Sequence, residues 1–141
     1  MCEVRPFSGL RYNPQRVTDL SSIITPPYDV ISSTERLSYY RKSPYNIIRL
    51  EYGEEQPGDS ADNNRYTRAT SVLDDWIKTG TLIREGQPAL YLVEHNFPYQ
   101  DTIKKRLGLL GRVRLEELHN RGNIRPHEKT TKEPAIDRLN L

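Results

Sequence analysis

Several common routes to function are closed in this 141-residue sequence. It has one cysteine, Cys2, so an internal disulfide is excluded and the composition fits a reducing compartment. Its three histidines, His95, His119 and His127, have no metal-ligand spacing to one another, and no metal site is expected. No GxSxG, GxxxxGK[ST] or GxGxxG pattern occurs, so nucleophile-elbow, Walker and dinucleotide-fold readings fail. No apolar run approaches the roughly 18 residues of a membrane span, and a soluble, cytoplasmic chain is expected. The formal net charge is only +2, which gives no global attraction to nucleic acid or an anionic membrane.

What the sequence does hold is polar and rich in tyrosine. Charged residues make up 28% and hydrophobic ones 35%, with nine tyrosines against two phenylalanines and one tryptophan. That balance is globular, not disordered, and the length suits one domain. From Lys104 to Lys132, basic residues far outnumber Glu116, Glu117 and Glu128. Such a stretch is either a set of solvated strand and loop faces or a cationic wall toward phosphate or carboxylate.

Along the chain, a short strand is expected near Val4–Leu10 and a turn at Asn13-Pro14. Val17, Leu20, Ile23 and Ile24 suit a short helical or irregular turn, which Pro26-Pro27 ends. Ser32 or Ser33 caps a helix running to about Lys42, with Glu35 in its first turn and Ser43-Pro44 as its stop. The β-branched run Asn46–Tyr52 reads as a strand. Tyr66, Ala69, Val72, Leu73, Trp76 and Ile77 recur at helical spacing, predicting a helix over about 62–78 that Thr79-Gly80 closes. Strands over about 89–97 and 102–114 form a hairpin. A last helix begins near Pro134 and runs to the end without a C-cap. The predicted class is α+β: a mixed, largely antiparallel sheet with this hairpin at its centre, packed by the 62–78 helix.

Three stretches carry the candidate chemistry. The diproline before Tyr28 and Asp29 stiffens the backbone and can present one carboxylate at fixed geometry; the alternative is an Asx-type turn. SPYNIIRL offers Asn46 and Arg49, the latter as a ligand or as an exposed strand arginine. In RPHEKT, Arg125 and Lys129 can neutralise a phosphate, Glu128 can take a proton from a hydroxyl, and His127 and Thr130 can donate to an anion. The same loop can equally be polar connection between a hairpin and a helix.

Taken in order, RPFSGLRYNP, ITPPYDVIS, SPYNIIRLEYG, DNNRYTRAT and RPHEKT resemble the N-terminal part of the prokaryotic domain-of-unknown-function family 1015. Members also carry an Asp-Gly-His-His-Arg run well downstream, which this sequence lacks. Residues 1–141 are therefore read as a single domain or as the N-terminal fragment of a longer protein. That downstream signature resembles the nucleotide-binding motif of the ParB/sulfiredoxin-like superfamily, which includes free-serine kinases.

The resemblance implies phosphoryl transfer to a hydroxyl of a small molecule, plausibly free serine, by the longer protein. It implies a nucleotide (ATP or ADP) or another phosphate donor, with Mg2+. Carried over, Glu128 and His127 are the catalytic candidates. Tyr28, Asp29, Asn46, Arg49, Arg125 and Thr130 are the substrate- or phosphate-binding ones. Asn64, Arg65 and Tyr66 match the family pattern as well. The partners implied are a small-molecule substrate and a phosphate donor, without membrane or nucleic acid, and the oligomeric state is open. The alternatives are a ParB-like module contacting nucleic acid or a protein, and a structural domain without activity.

Overall fold

The computed structural model describes residues 2–116, 123–124 and 132–141. The elements in order are β1 (Val4–Arg5), β2 (Leu10–Tyr12), α1 (Ser33–Lys42), α2 (Ile48–Glu51), α3 (Arg65–Lys78), β3 (Leu82–Arg84), β4 (Tyr91–Tyr99), β5 (Thr102–Leu110), β6 (Arg112–Val113) and α4 (Lys132–Asn140). Single 3₁₀ turns stand at Leu20–Ser22 and Tyr28–Val30. Helices and antiparallel strands coexist, so the class is α+β. The strands form three two-stranded sheets, β1-β6, β2-β3 and β4-β5. Among the described residues no helix is long and apolar enough to cross a membrane.

The chain divides into two compact units. One comprises Arg11–Ile83 and Thr130–Leu141, the other Met1–Leu10 and Arg84–Lys129. The predicted hairpin and the predicted helix both form, and they belong to different units.

In the first unit, local hydrogen bonding fixes where helices begin. Ser32 Oγ accepts the Glu35 N–H at 3.3 Å, and Glu35 Oε2 accepts the Ser32 N–H at 2.9 Å. This reciprocal cap satisfies two of the N–H groups that a helix start leaves open. Arg41 and Lys42 in the last turn of α1 complement the helix dipole. Asn64 Oδ1 accepts from Tyr66 N at 2.9 Å and from Thr67 N at 3.2 Å, so α3 starts at Arg65, later than predicted. Thr79 and then Gly80, at a left-handed φ of 72°, end it.

The segment 46–52 is not the strand that its β-branched residues predict; it contains α2. The reason is Asn46, which is fully buried. Its Oδ1 accepts the Ile48 N–H at 3.0 Å, and its backbone oxygen accepts the Arg49 N–H at 3.2 Å. Its Nδ2 donates to Ser22 O at 2.8 Å, while Ile47 N donates to Ile23 O at 2.8 Å. The side chain thus offers the backbone a turn in place of a sheet ladder, and burial of Ile48 rewards that turn.

The core of this unit is Val17, Ile23, Ile31, Ile48, Ala69, Trp76 and Leu82. Trp76 comes from α3 and is flanked by the rings of Tyr12 and Tyr45, with centroids 5.9 and 6.1 Å away. Such tilted aromatic pairs add about 0.5–1.5 kcal/mol each beyond the area they bury. Tyr12 also donates to Tyr45 O at 2.9 Å.

In the second unit, β4 and β5 pair in unbroken antiparallel register from Tyr91↔Leu110 to Tyr99↔Thr102. Tyr91 ties the start of the hairpin to the N-terminal segment: its hydroxyl accepts the Gly9 N–H at 2.7 Å and donates to Phe7 O at 3.3 Å. β1 pairs with β6 through Val4↔Val113 and Arg5↔Arg112.

Candidate functional site

The site is assembled in the first unit from α1, α2, α3, the loop after Pro27 and α4. Arg49, Arg65 and Arg68 line a cavity of about 180 Å³, together with Tyr40, Gly53, Glu54, Gln56 and Val72. Arg49 leaves α2 and lays its guanidinium over the Tyr40 ring, 4.6 Å from the centroid, while Nη2 donates to Tyr40 O at 2.8 Å. Its Nε, like that of Arg36, is buried and has no hydrogen-bond partner among the described residues. Among the described residues no carboxylate pairs with Arg49. An arginine in that condition is a donor and a positive charge awaiting an acceptor.

The two other arginines are partly neutralised. Arg68 pairs with Asp59 at 2.7 Å and donates to Glu54 O at 2.7 Å. Its Asp59 bond holds that carboxyl below the usual aspartate range. Arg65 Nη2 donates to Tyr66 OH at 2.8 Å and to Asp137 Oδ1 at 2.5 Å, and Nη1 lies 3.7 Å from Glu55. Gly53 lets the loop after α2 approach this helix start: a Cβ there would stand 3.2 Å from both Arg65 Cβ and Arg65 O.

Arg65 also borders a second cavity, of about 310 Å³, lined with Tyr28, Asp29, Ile31, Tyr52, Glu133, Pro134 and Asp137. Tyr28 and Asp29 sit in the 3₁₀ turn after Pro27. Asp29 is exposed, and among the described residues it makes no hydrogen bond or ion pair, so no Asx turn consumes it. The Asx geometry belongs to Asp19, whose Oδ1 accepts from Ser21 N at 2.9 Å. Four arginines of this unit lie over tyrosine rings, Arg36 on Tyr52, Arg49 on Tyr40, Arg65 on Tyr66 and Arg138 on Tyr28.

Asp137 closes one side. Burial alone would raise its carboxyl, but bonds from Arg138 and Tyr66 and the charges of Arg138 and Arg65 outweigh that and hold it below the ordinary range. Burial likewise opposes the charged form of Arg65, and Tyr66, Asp137 and Glu55 overcome it, so the guanidinium is held more firmly protonated.

The sequence matches the family described as "Protein of unknown function (DUF1015)" over residues 4–141. The chain belongs to that family. No curated protein and no solved structure matches it, which leaves the chemistry to be read from the residues themselves. Of the DUF1015 motif positions, Tyr28 and Asp29 line the larger cavity and Arg49 lines the smaller. Arg65, from the DNNRYTRAT motif, lines both. Asn46 lines neither and spends its side chain on the backbone of residues 22 and 48. Arg125, His127, Glu128 and Thr130 lie outside the described residues, as does His119.

Three contributors escaped the sequence reading: Arg68, Asp137 and Arg138. The Arg65–Asp137 bond spans 72 residues, and no local pattern announces a pair so far apart. In the other unit, the basic residues of β5 and β6 are exposed. Lys105 pairs with Glu94 at 2.9 Å, Arg114 lies 3.6 Å from Glu3, and Arg106 meets the exposed His95 at 3.0 Å. Those contacts are what solvated strand faces make.

Proposed function

We propose that this chain is the phosphate- and substrate-recognising portion of a small-molecule kinase that transfers a phosphoryl group to a hydroxyl, that of free serine. The observation that carries the reading is Arg49. Arg49 lines a cavity with Arg65 and Arg68 and pairs with no carboxylate among the described residues, and a phosphate oxygen would supply that missing counter-charge. Two guanidiniums already paired with carboxylates and one that, among the described residues, has none give a site biased toward a small anion.

The neighbouring cavity has the opposite character. Asp29 faces it from the turn and Glu133 from the first turn of α4, so a donor group of the acceptor molecule finds carboxylates there. In the transfer, the acceptor oxygen forms its bond to phosphorus as the donor's P–O bond breaks. The hydroxyl proton passes to Glu128.

The phosphate donor is ATP, ADP or a related phosphoanhydride, with Mg2+. Among the described residues no group of three or more His, Cys, Asp or Glu side chains can hold a metal. The ion would be held chiefly by the donor's own phosphates, as Mg2+ commonly is in such sites. When bound it supplies charge neutralisation to the phosphates. The resemblance of the family's downstream Asp-Gly-His-His-Arg signature, which residues 1–141 lack, to the nucleotide-binding motif of the ParB/sulfiredoxin-like superfamily points the same way, and a cytoplasmic setting would supply both substrates.

The test is formation of phosphoserine by the protein incubated with serine, Mg2+ and ATP or ADP. Arg49→Ala is expected to lower turnover by about 10²-fold or more, on the scale of losing one transition-state donor. Glu128→Gln is expected to lower kcat with little change in KM. Turnover indifferent to both changes would sink the assignment.

A further inference from the structure

Arg65 answers to two demands. It lines the Arg49–Arg68 cavity, and it also holds Asp137 of α4 at 2.5 Å. What docks α4 is almost wholly polar: the helix has no buried residue, and its apolar Ile136 and Leu139 are 58% and 84% exposed. Asp137 Oδ1 accepts from Arg65 and, at 3.0 Å, from Tyr66 OH. Arg138 Nη2 donates to Glu51 O at 2.7 Å, and its guanidinium lies 3.9 Å from the Tyr28 ring centroid. The chain has therefore placed anions of its own on two of the cavity's three arginines, Asp59 on Arg68 and Asp137 on Arg65, and the second comes from α4.

We propose that Asp137 is an internal competitor of the cavity's anionic ligand for Arg65, so that ligand binding and docking of α4 oppose each other. The proposal rests on the reading of the Arg49 cavity as an anion site and adds its regulation. The physical cause is charge. Arg65 is common to both: a phosphate beside Arg49 and Arg68 draws on the same guanidinium that Asp137 holds from the neighbouring cavity, and Arg65 can neutralise only one of them fully. Glu54, on the same cavity wall, sharpens the competition because it adds to the negative charge that the arginines must offset. Linkage makes the effect reciprocal: whatever factor Asp137 removes from ligand affinity, the ligand removes from α4 docking.

The experiment titrates inorganic phosphate into the protein and into Asp137→Asn, and follows amide hydrogen exchange of residues 132–140 with and without phosphate. Asp137→Asn is expected to bind phosphate about tenfold more tightly, the scale of a typical coupling between sites. In the unmodified protein, saturating phosphate is expected to speed exchange in α4, and Arg49→Ala to abolish that response. Equal affinities in the two proteins, or α4 exchange that is unchanged or slowed by phosphate, would overturn the competition and leave the anion site standing. Absence of phosphate binding by either protein would remove both readings together. If Asp137→Asn fails to fold, the exchange measurement on the unmodified protein decides alone.

Discussion

The two units of this chain solve the problem of stability differently. Every buried hydrophobic side chain among the described residues belongs to the unit built on α1, α2 and α3. The hairpin unit contributes none, and it leaves Leu92, Ile103, Leu107, Leu109 and Leu110 more than half exposed. The first unit therefore gains from packing around Trp76 and Ile48. The second is held by a ladder of backbone hydrogen bonds, the Tyr91 tie and surface ion pairs, which contribute little each. An isolated two-stranded ribbon is marginal in water. The unit with the core is also the one with the arginine cavity, as expected where a rigid scaffold must hold a buried, unpartnered donor in place.

That contrast can be broken most directly at Trp76. Trp76→Ala is expected to cost about 3–5 kcal/mol, enough to lose the helical far-ultraviolet circular dichroism signal at moderate urea. If the loss were under about 1 kcal/mol, the core assigned to this unit would be wrong.

Next in size is Asn46→Ala, which strands the Ile48 N–H and the Ser22 carbonyl in the interior. About 1–3 kcal/mol is expected for each buried group left unsatisfied, read as a shift in the urea midpoint. The result also tests whether Asn46 acts through the fold, since any loss of phosphate binding should then track the loss of stability. Asn64→Ala, which removes the cap of α3 beside Arg65, is expected to cost about 1 kcal/mol.

Smaller still are two pH effects, both confined to the packed unit. Burial, aided by the charge of Glu51, pushes the Tyr12 hydroxyl up to about 12 from an ordinary value of 10.0. A raised pKa means stability that is complete below about 10 and declines as pH climbs through the folded value, so thermal midpoints should fall over that alkaline window. Asp137 has the opposite sign: its lowered pKa gives stability present above about 4 that is lost as pH falls further. Hydrogen exchange in α4 should accelerate there before the core opens. The smallest effect is expected in the hairpin, where Leu109→Ala at a 63% exposed position should stay within about 0.5 kcal/mol. A larger loss would mean that the hairpin face is packed in solution.

Much of the molecule was legible one residue at a time. Ser32 with Glu35, and the spacing from Tyr66 to Ile77, announce α1 and α3 because caps and helical periodicity are local signals. The alternation around the turn at 100–101 announces the hairpin for the same reason. The diproline identified Tyr28 and Asp29 as residues on a stiff turn, and that turn does line a cavity.

Where local preference and tertiary context disagree, the disagreement sits beside the site. Residues 46–52 have strand-like composition, yet a buried asparagine bonded to residues more than 20 positions away makes them helical. Propensities of a fraction of a kcal/mol per residue are outweighed by one satisfied buried amide and one fully buried isoleucine. That reversal is also what carries Arg49 onto α2 and over Tyr40.

By itself, then, the sequence determined the α+β class, the family, the presence and type of α1, α3 and the hairpin, and the residues rich in chemistry. Only the tertiary structure decided which of those residues meet. It put Arg49, Arg65 and Arg68 around one cavity and Asp137 onto Arg65 across 72 residues. It also left the Nε atoms of Arg36 and Arg49 buried without an acceptor among the described residues. Capping and periodicity are written within a few residues of where they act, whereas the charge balance of a cavity depends on side chains that only packing brings together.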